Sequence, residues 1–200
     1  MAHNPSAVIG QKFVVQGPEP QHLVFKENRI SLTGDSGEVK DIFGQLWFKI
    51  KGKKLSLSEK KRVLDNEGNT IAMINEKLFS IHRRQYICRA DETKVAEVKA
   101  KSFFQFKSNA EVTFLKGAGV EDSDPDYKIS GSYLNRNYDI VDISTGNVMA
   151  TVRRDIVNMA NFLFGSDTYA VSVMPGFDSA FVVCIVVTLD EIFSDRARDD

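Results

Sequence analysis

The sequence predicts a mainly β protein with an antiparallel sheet, a sandwich or a barrel, and three observations lead there. Short stretches in which apolar and polar residues alternate recur along most of the 200 residues, which is the signature of strands with one face in a core and one in water. Glycine-containing turns separate these stretches at close spacing, and no long helical pattern intervenes as a parallel α/β sheet would require. The third observation is one segment of a different kind, the unbroken apolar run at 180–189, which must be hidden from water on every side.

In chain order, Lys12-Phe13-Val14-Val15 and residues 22–26 read as strands separated by Gly17-Pro18-Glu19-Pro20, a rigid turn or linker. Leu46, Phe48 and Ile50 alternate with Trp47, Lys49 and Lys51, one apolar face and one mixed face. Further strands are expected at 71–74, 80–89, 95–101, 103–106, 111–115, 126–132, 138–143, 148–152 and 168–174. The segments 41–45, 65–69 and 142–147 combine Asp with Gly between two strands, a hairpin signal because glycine supplies positive φ and the carboxylate bonds nearby backbone. Residues 63–74 and 141–152 match well enough to suggest two related halves. Ile156, Met159, Ala160, Leu163 and Phe164 fall at helical spacing between Asp155 and Gly165, which predicts a short amphipathic helix over the end of the sheet.

The apolar run leaves two readings open. Its many Val and Ile residues favour a buried strand, since β-branched side chains lose freedom in a helix. Against this, Pro175-Gly176 breaks the preceding segment, and Asp178 or Ser179 suits a helix N-cap. A helix of about ten residues covers only roughly half of a ~30 Å hydrocarbon core, so no transmembrane span is expected. Asp190 and Glu191 near its end oppose the helix dipole.

Length suits a single domain over residues 1–200 with a flexible start and a tail. The net charge of −1, from 26 basic and 27 acidic residues, argues against a surface committed to nucleic acid. The two cysteines, Cys88 and Cys184, lie in apolar or strand-like settings, as buried reduced thiols of a cytoplasmic protein do. Met1-Ala2-His3-Asn4-Pro5 lacks the basic and apolar regions of a secretory signal, so the chain is expected to stay inside the cell.

Candidate chemistry is sparse. The acidic segment 121–126 lacks the central glycine and final glutamate of a calcium loop. His82 with Arg83 and Arg84 offers a phosphate contact, yet His82 falls in a strand-like stretch where a structural role is commoner. The cysteines and histidines show no metal spacing. Ser130-Gly131-Ser132 lacks the surroundings of a nucleophile elbow. No catalytic residue, metal or cofactor is expected. What stands out is a basic cluster: Lys49, Lys51, Lys53 and Lys54, then Lys60, Lys61 and Arg62. Alternation places Lys49 and Lys51 on an outer strand face, and a hairpin would bring the second group beside the first. Anionic lipid headgroups attract such patches by about 1 kcal/mol per basic residue; the plain alternative is a solvated face.

The succession Gln45-Leu46-Trp47-Phe48-Lys49-Ile50-Lys51, Lys61-Arg62-Val63-Leu64-Asp65, Leu78-Phe79-Ser80-Ile81-His82-Arg83-Arg84-Gln85, Lys128-Ile129-Ser130-Gly131-Ser132-Tyr133-Leu134 and Asp178-Ser179-Ala180-Phe181, running into Leu189-Asp190-Glu191, resembles the LURP-one-related proteins. That family is similar to the tubby C-terminal domain and the phospholipid scramblases. The resemblance implies a tubby-like closed antiparallel barrel of about twelve strands around a central hydrophobic C-terminal α-helix, a lumen too wide for strand side chains alone to fill. It also tips the apolar run to helix. The activity it implies is a non-enzymatic, monomeric binding or membrane-tethering module in stress or defence signalling, with anionic phospholipid headgroups such as phosphoinositides, or a protein, as partner. Scramblase-like lipid transfer and a small-molecule enzyme without recognisable motif are the alternatives. The tubby domain's ligand residues do not align one by one with this chain, so none is carried over.

Overall fold

The computed structural model describes residues 7–26, 36–53, 60–76, 84–102, 109–115, 124–133, 135–154 and 168–194. Twelve strands close into an antiparallel barrel in which each strand pairs with the next in the chain and the last pairs with the first. They are β1 (Gln21–Lys26), β2 (Ser36–Asp41), β3 (Leu46–Lys53), β4 (Lys60–Asp65), β5 (Thr70–Glu76), β6 (Arg84–Arg89), β7 (Lys94–Ser102), β8 (Asn109–Phe114), β9 (Tyr127–Ser132), β10 (Asn137–Asp142), β11 (Val148–Arg153) and β12 (Thr168–Val173). Helix α1 (Ser179–Ser194) follows. Closure leaves no strand edge unpaired.

The apolar run is therefore a helix, and it fills the lumen. Phe181, Val182, Val183, Cys184, Ile185, Val186 and Leu189 are all at most 1% exposed, on every side of the helix. Its backbone bonds are satisfied internally, which a further strand inside a closed sheet would not achieve. Thr188 donates its hydroxyl to the Cys184 carbonyl at 2.7 Å, so the polar atom in the middle of this surface has a partner. The lining is graded in size. Ala72, Ala96, Ala100 and Ala110 face the core from β5, β7 and β8, whereas Phe25, Tyr138, Met149 and Tyr169 face it from the opposite wall. The helix accordingly lies closest to β5, β6 and β7, since small residues allow close approach.

At the mouth where α1 begins, Met174-Pro175-Gly176 turns the chain inward and Asp178 caps the helix by accepting from the Phe181 N–H at 3.1 Å. Its other oxygen accepts from the Ile9 and Gly10 N–H groups at 2.7 and 3.0 Å. Here the expectation for residues 12–15 is corrected. They form no strand; Gln11–Phe13 is a single 3-10 turn, and Val14 makes one isolated bridge to Asp178. Their apolar side chains answer to tertiary contacts, with Phe13 packed on Phe48, not to strand pairing.

The turns at this mouth share one construction. The register shifts by one residue beside each turn, the extra residue lying on the strand that follows it: Trp47, Ile71, Val95 and Met149. The backbone reverses through Gly44, Gly68, Glu92 and Gly146, all at positive φ. The matching segments 63–74 and 141–152 are the β4–β5 and β10–β11 hairpins, six strands apart on opposite sides of the barrel. Strand β2, expected only as the arm before the 41–45 turn, spans Ser36–Asp41 and has a single large apolar residue, Val39. Gly131, at φ +134°, permits the close pairing of β9 with β10, since a Cβ there would lie 2.4 Å from the Asn137 carbonyl oxygen. The strand expected at 103–106 and the amphipathic helix at 155–165 lie outside the described residues.

Candidate functional site

The expected hairpin joins the two halves of the basic cluster. In the β3–β4 ladder Lys49 stands opposite Leu64, Lys51 opposite Arg62 and Lys53 opposite Lys60. Phe48, opposite Asp65, is fully buried in the core, so alternation turns Lys49, Lys51 and Arg62 to the outer face. Lys51 and Arg62 are exposed and Lys49 is half-buried. The Lys51–Arg62 rung thus pairs like charges on the outer face, an arrangement that costs a few tenths of a kcal/mol or more. Lys54 and the side chains of Lys53 and Lys60 lie outside the described residues.

Lys61 does not belong to this outer strip. It pairs with Gly52, one inward position on from the Ile50–Val63 pair, and forms an ion pair with Glu191 of α1, both side chains 11% exposed. The sequence grouped it with its neighbours by charge; strand period separates it from them. The strip instead gains Lys40 on β2, which the sequence did not single out. Lys40 bonds Glu38 at 2.9 Å, and Glu38 stands opposite Lys49. The Lys40 hydrogen bond first, then the charges of Lys40 and Lys49, hold the Glu38 carboxyl below its ordinary pKa. Glu38 is the one acid placed opposite the strip among the described residues of β2, and it is shared between two lysines.

A second polar group closes the other end of the lumen, and no motif announces it. Asp190 accepts from Tyr133 Oη at 2.6 Å, Arg136 Nη1 at 2.7 Å and Tyr169 Oη at 3.2 Å. The Arg136 guanidinium also lies over the Tyr133 and Tyr169 rings, 4.3 and 4.7 Å from their centroids. Burial, reinforced by the Asp190 charge, pushes the Tyr133 and Tyr169 hydroxyls far above their ordinary pKa, so they remain donors. The unfavourable placement of Asp190 at a helix C-terminus is offset by a cation beside it. Arg136 and Asp190 neutralise each other, and the group ties the end of α1 to Tyr133 and Arg136 between β9 and β10 and to Tyr169 of β12.

Among the described residues no group of three or more His, Cys, Asp or Glu is arranged to hold a metal ion. Cys88 and Cys184 are buried and unbridged, and burial raises the Cys184 pKa, which keeps that thiol protonated and unreactive. His82, Arg83 and residues 121–123 lie outside the described residues. Asp126 serves the backbone, accepting from the Phe114 N–H at 2.7 Å.

The LURP-one-related family model matches residues 21–190. Protein LURP-one-related 15 of Arabidopsis thaliana is 30% identical over 88% of this chain and 81% of its own length. Protein LURP-one-related 10 is 26% identical over 96% of this chain and 100% of its own length. An X-ray structure of an Arabidopsis thaliana protein shares the fold, with a TM-score of 0.68 and 20% identity, covering 94% of this chain and 98% of that one.

Proposed function

The chain belongs to the LURP-one-related family, and from that premise we propose that it is a non-enzymatic module that tethers to anionic phospholipid headgroups through the outer face of β3 and β4. The observation that carries this reading is the like-charged rung in which Lys51 stands opposite Arg62 on the outer face, with Lys49 beside it. Such rungs raise the free energy of the unliganded sheet, and a polyanion laid across them converts repulsion into attraction. Each basic residue brought to an anionic surface contributes about 1 kcal/mol, screened by salt. The proposed setting is the cytoplasm, at a membrane periphery, in stress or defence signalling. The tubby-like resemblance supports a lipid partner in the same sense.

Lipid transfer with α1 as a membrane span is disfavoured on physical grounds. At 1.5 Å per residue the 16 residues of α1 reach about 24 Å, short of a bilayer core of about 30 Å. Withdrawing the helix would also empty the barrel of its core.

Flotation with phosphoinositide-containing vesicles tests the proposal. The protein should float with them at low salt and be released as salt rises. Replacing Lys49, Lys51 and Arg62 by Gln should abolish flotation without unfolding the barrel. Unchanged binding of that variant would remove the lipid reading.

A further inference from the structure

On the same hairpin that supplies Lys40 and Lys49, the turn between β2 and β3 carries Ile42 and Phe43 into solvent. Phe43 is 86% exposed and Ile42 39%. The turn itself does not call for an aromatic residue at its apex. In the turns of the same construction the position two after the bonded Asp or Arg is Glu67, Asp91 or Ser144, all polar.

The tip is also held firmly. Asp41 Oδ1 accepts from the Phe43 and Gln45 N–H groups, both at 2.9 Å, and its Oδ2 accepts from Trp47 Nε1 at 3.2 Å. Gly44, at φ +84°, takes the one left-handed position. The acid at the base of the tip is thereby occupied in building the turn, and the exposed phenyl ring is presented on a fixed stem.

We propose that Phe43, with Ile42 beside it, inserts into the interfacial region of an anionic bilayer while Lys40, Lys49, Lys51 and Arg62 contact the headgroups. This inference rests on the reading of the basic strip and specifies its partner: a bilayer surface, not a free polyphosphate or an acidic protein. The argument is complementarity on one hairpin. A basic strand face attracts the headgroups, and an exposed aromatic tip beside it gains free energy only where it leaves water. Asp41 at the base of the tip, engaged by the Phe43 and Gln45 N–H groups and by Trp47, Glu67 in the next turn and Glu38 on β2 are acids on this side of the barrel. Asn69 Nδ2 donates to Glu67 at 3.1 Å, and Lys40 neutralises Glu38. The acidic turns at 89–93 and 142–147 are each four strands away around the barrel, so docking on the β2–β4 side turns them from the membrane.

Vesicles of phosphatidylcholine doped with a phosphoinositide, and inositol hexakisphosphate in solution, separate the two levels of the proposal. Phe43→Ser should weaken vesicle binding about tenfold, the loss expected when one aromatic side chain no longer leaves water, and should bind inositol hexakisphosphate as the parent does. Phe43→Trp should show fluorescence quenched by brominated lipid, beyond any quenching of the half-buried Trp47 in the parent. Undiminished vesicle binding by Phe43→Ser, or no added quenching in Phe43→Trp, overturns tip insertion while leaving the basic strip in place. Full binding by the Lys49, Lys51 and Arg62 glutamine variant overturns the strip itself. A parent protein that binds inositol hexakisphosphate but no vesicle overturns the bilayer as partner.

Discussion

Glu92 holds φ +67° in the β6–β7 turn, where Gly44, Gly68 and Gly146 hold +84°, +91° and +72° in their turns. A side chain there pays steric strain that glycine avoids. Glu92→Gly should therefore stabilise the protein by roughly 0.5–1 kcal/mol, after the entropy glycine costs the folded state; a urea melt measures this, and a loss of stability would contradict it. The same position explains a limit of sequence reading. Three of the four turns were legible because Asp and Gly mark them, and the fourth was hidden because Arg89 and Glu92 fill the marked places. Lys61 shows the converse. Its identity suggested the surface strip, but its parity in β4 buries it against Glu191, and charge alone does not reveal parity when strand limits are unknown. Lys61→Gln should cost about 1.5–3 kcal/mol, the loss of a nearly buried charge-assisted contact with Glu191, whereas Lys51→Gln should cost nothing. Equal melting temperatures for the two variants would show that the inward pair is not energetically buried.

At the scale of elements, the strands with clear alternation were readable from composition because a barrel wall has one apolar and one wet face. Strand β2 was readable only as the arm before the 41–45 turn and not in its bounds, since Ser36–Asp41 brings one large apolar residue; it is held by pairing with β1 and β3 on either side, a contribution no local pattern displays. The segment 12–15 misled in the opposite direction, its apolar residues serving the mouth of the barrel near Asp178. Helix α1 was ambiguous by propensity, and its environment decides it: a Val-rich strand has no edge to join in a closed sheet, while an internally bonded helix of any apolar composition fits the lumen. The candidate site was half legible. The basic residues and their hairpin could be anticipated, but Lys40, the inward turn of Lys61 and the exposed tip at Phe43 required the register. Val183 lies in the second turn of α1 and is fully buried, so Val183→Asp places an unpaired charge among apolar side chains and should prevent folding. A soluble variant with a cooperative melt would contradict the enclosure of the helix.

For the molecule as a whole, fold and proposed function rest on different faces of the same strands. Inward residues of β3 and β4 hold the helix, and the outward Lys51 and Arg62 set like charges opposite each other, so the site can be altered without disturbing the core. A sheet selected only for stability would place opposite charges across the ladder. Retaining like charges is a small standing cost that has a reason if an anion occupies the face. The most direct measurement is the thermal melt of the parent and of the Lys51→Gln, Arg62→Gln variant, each with and without inositol hexakisphosphate. The variant alone should melt about 1–3 °C higher than the parent, as expected for relief of a like-charged pair, and the anion should raise the melting temperature of the parent only. A variant that melts lower than the parent, or is stabilised by the anion to the same extent, would contradict the account.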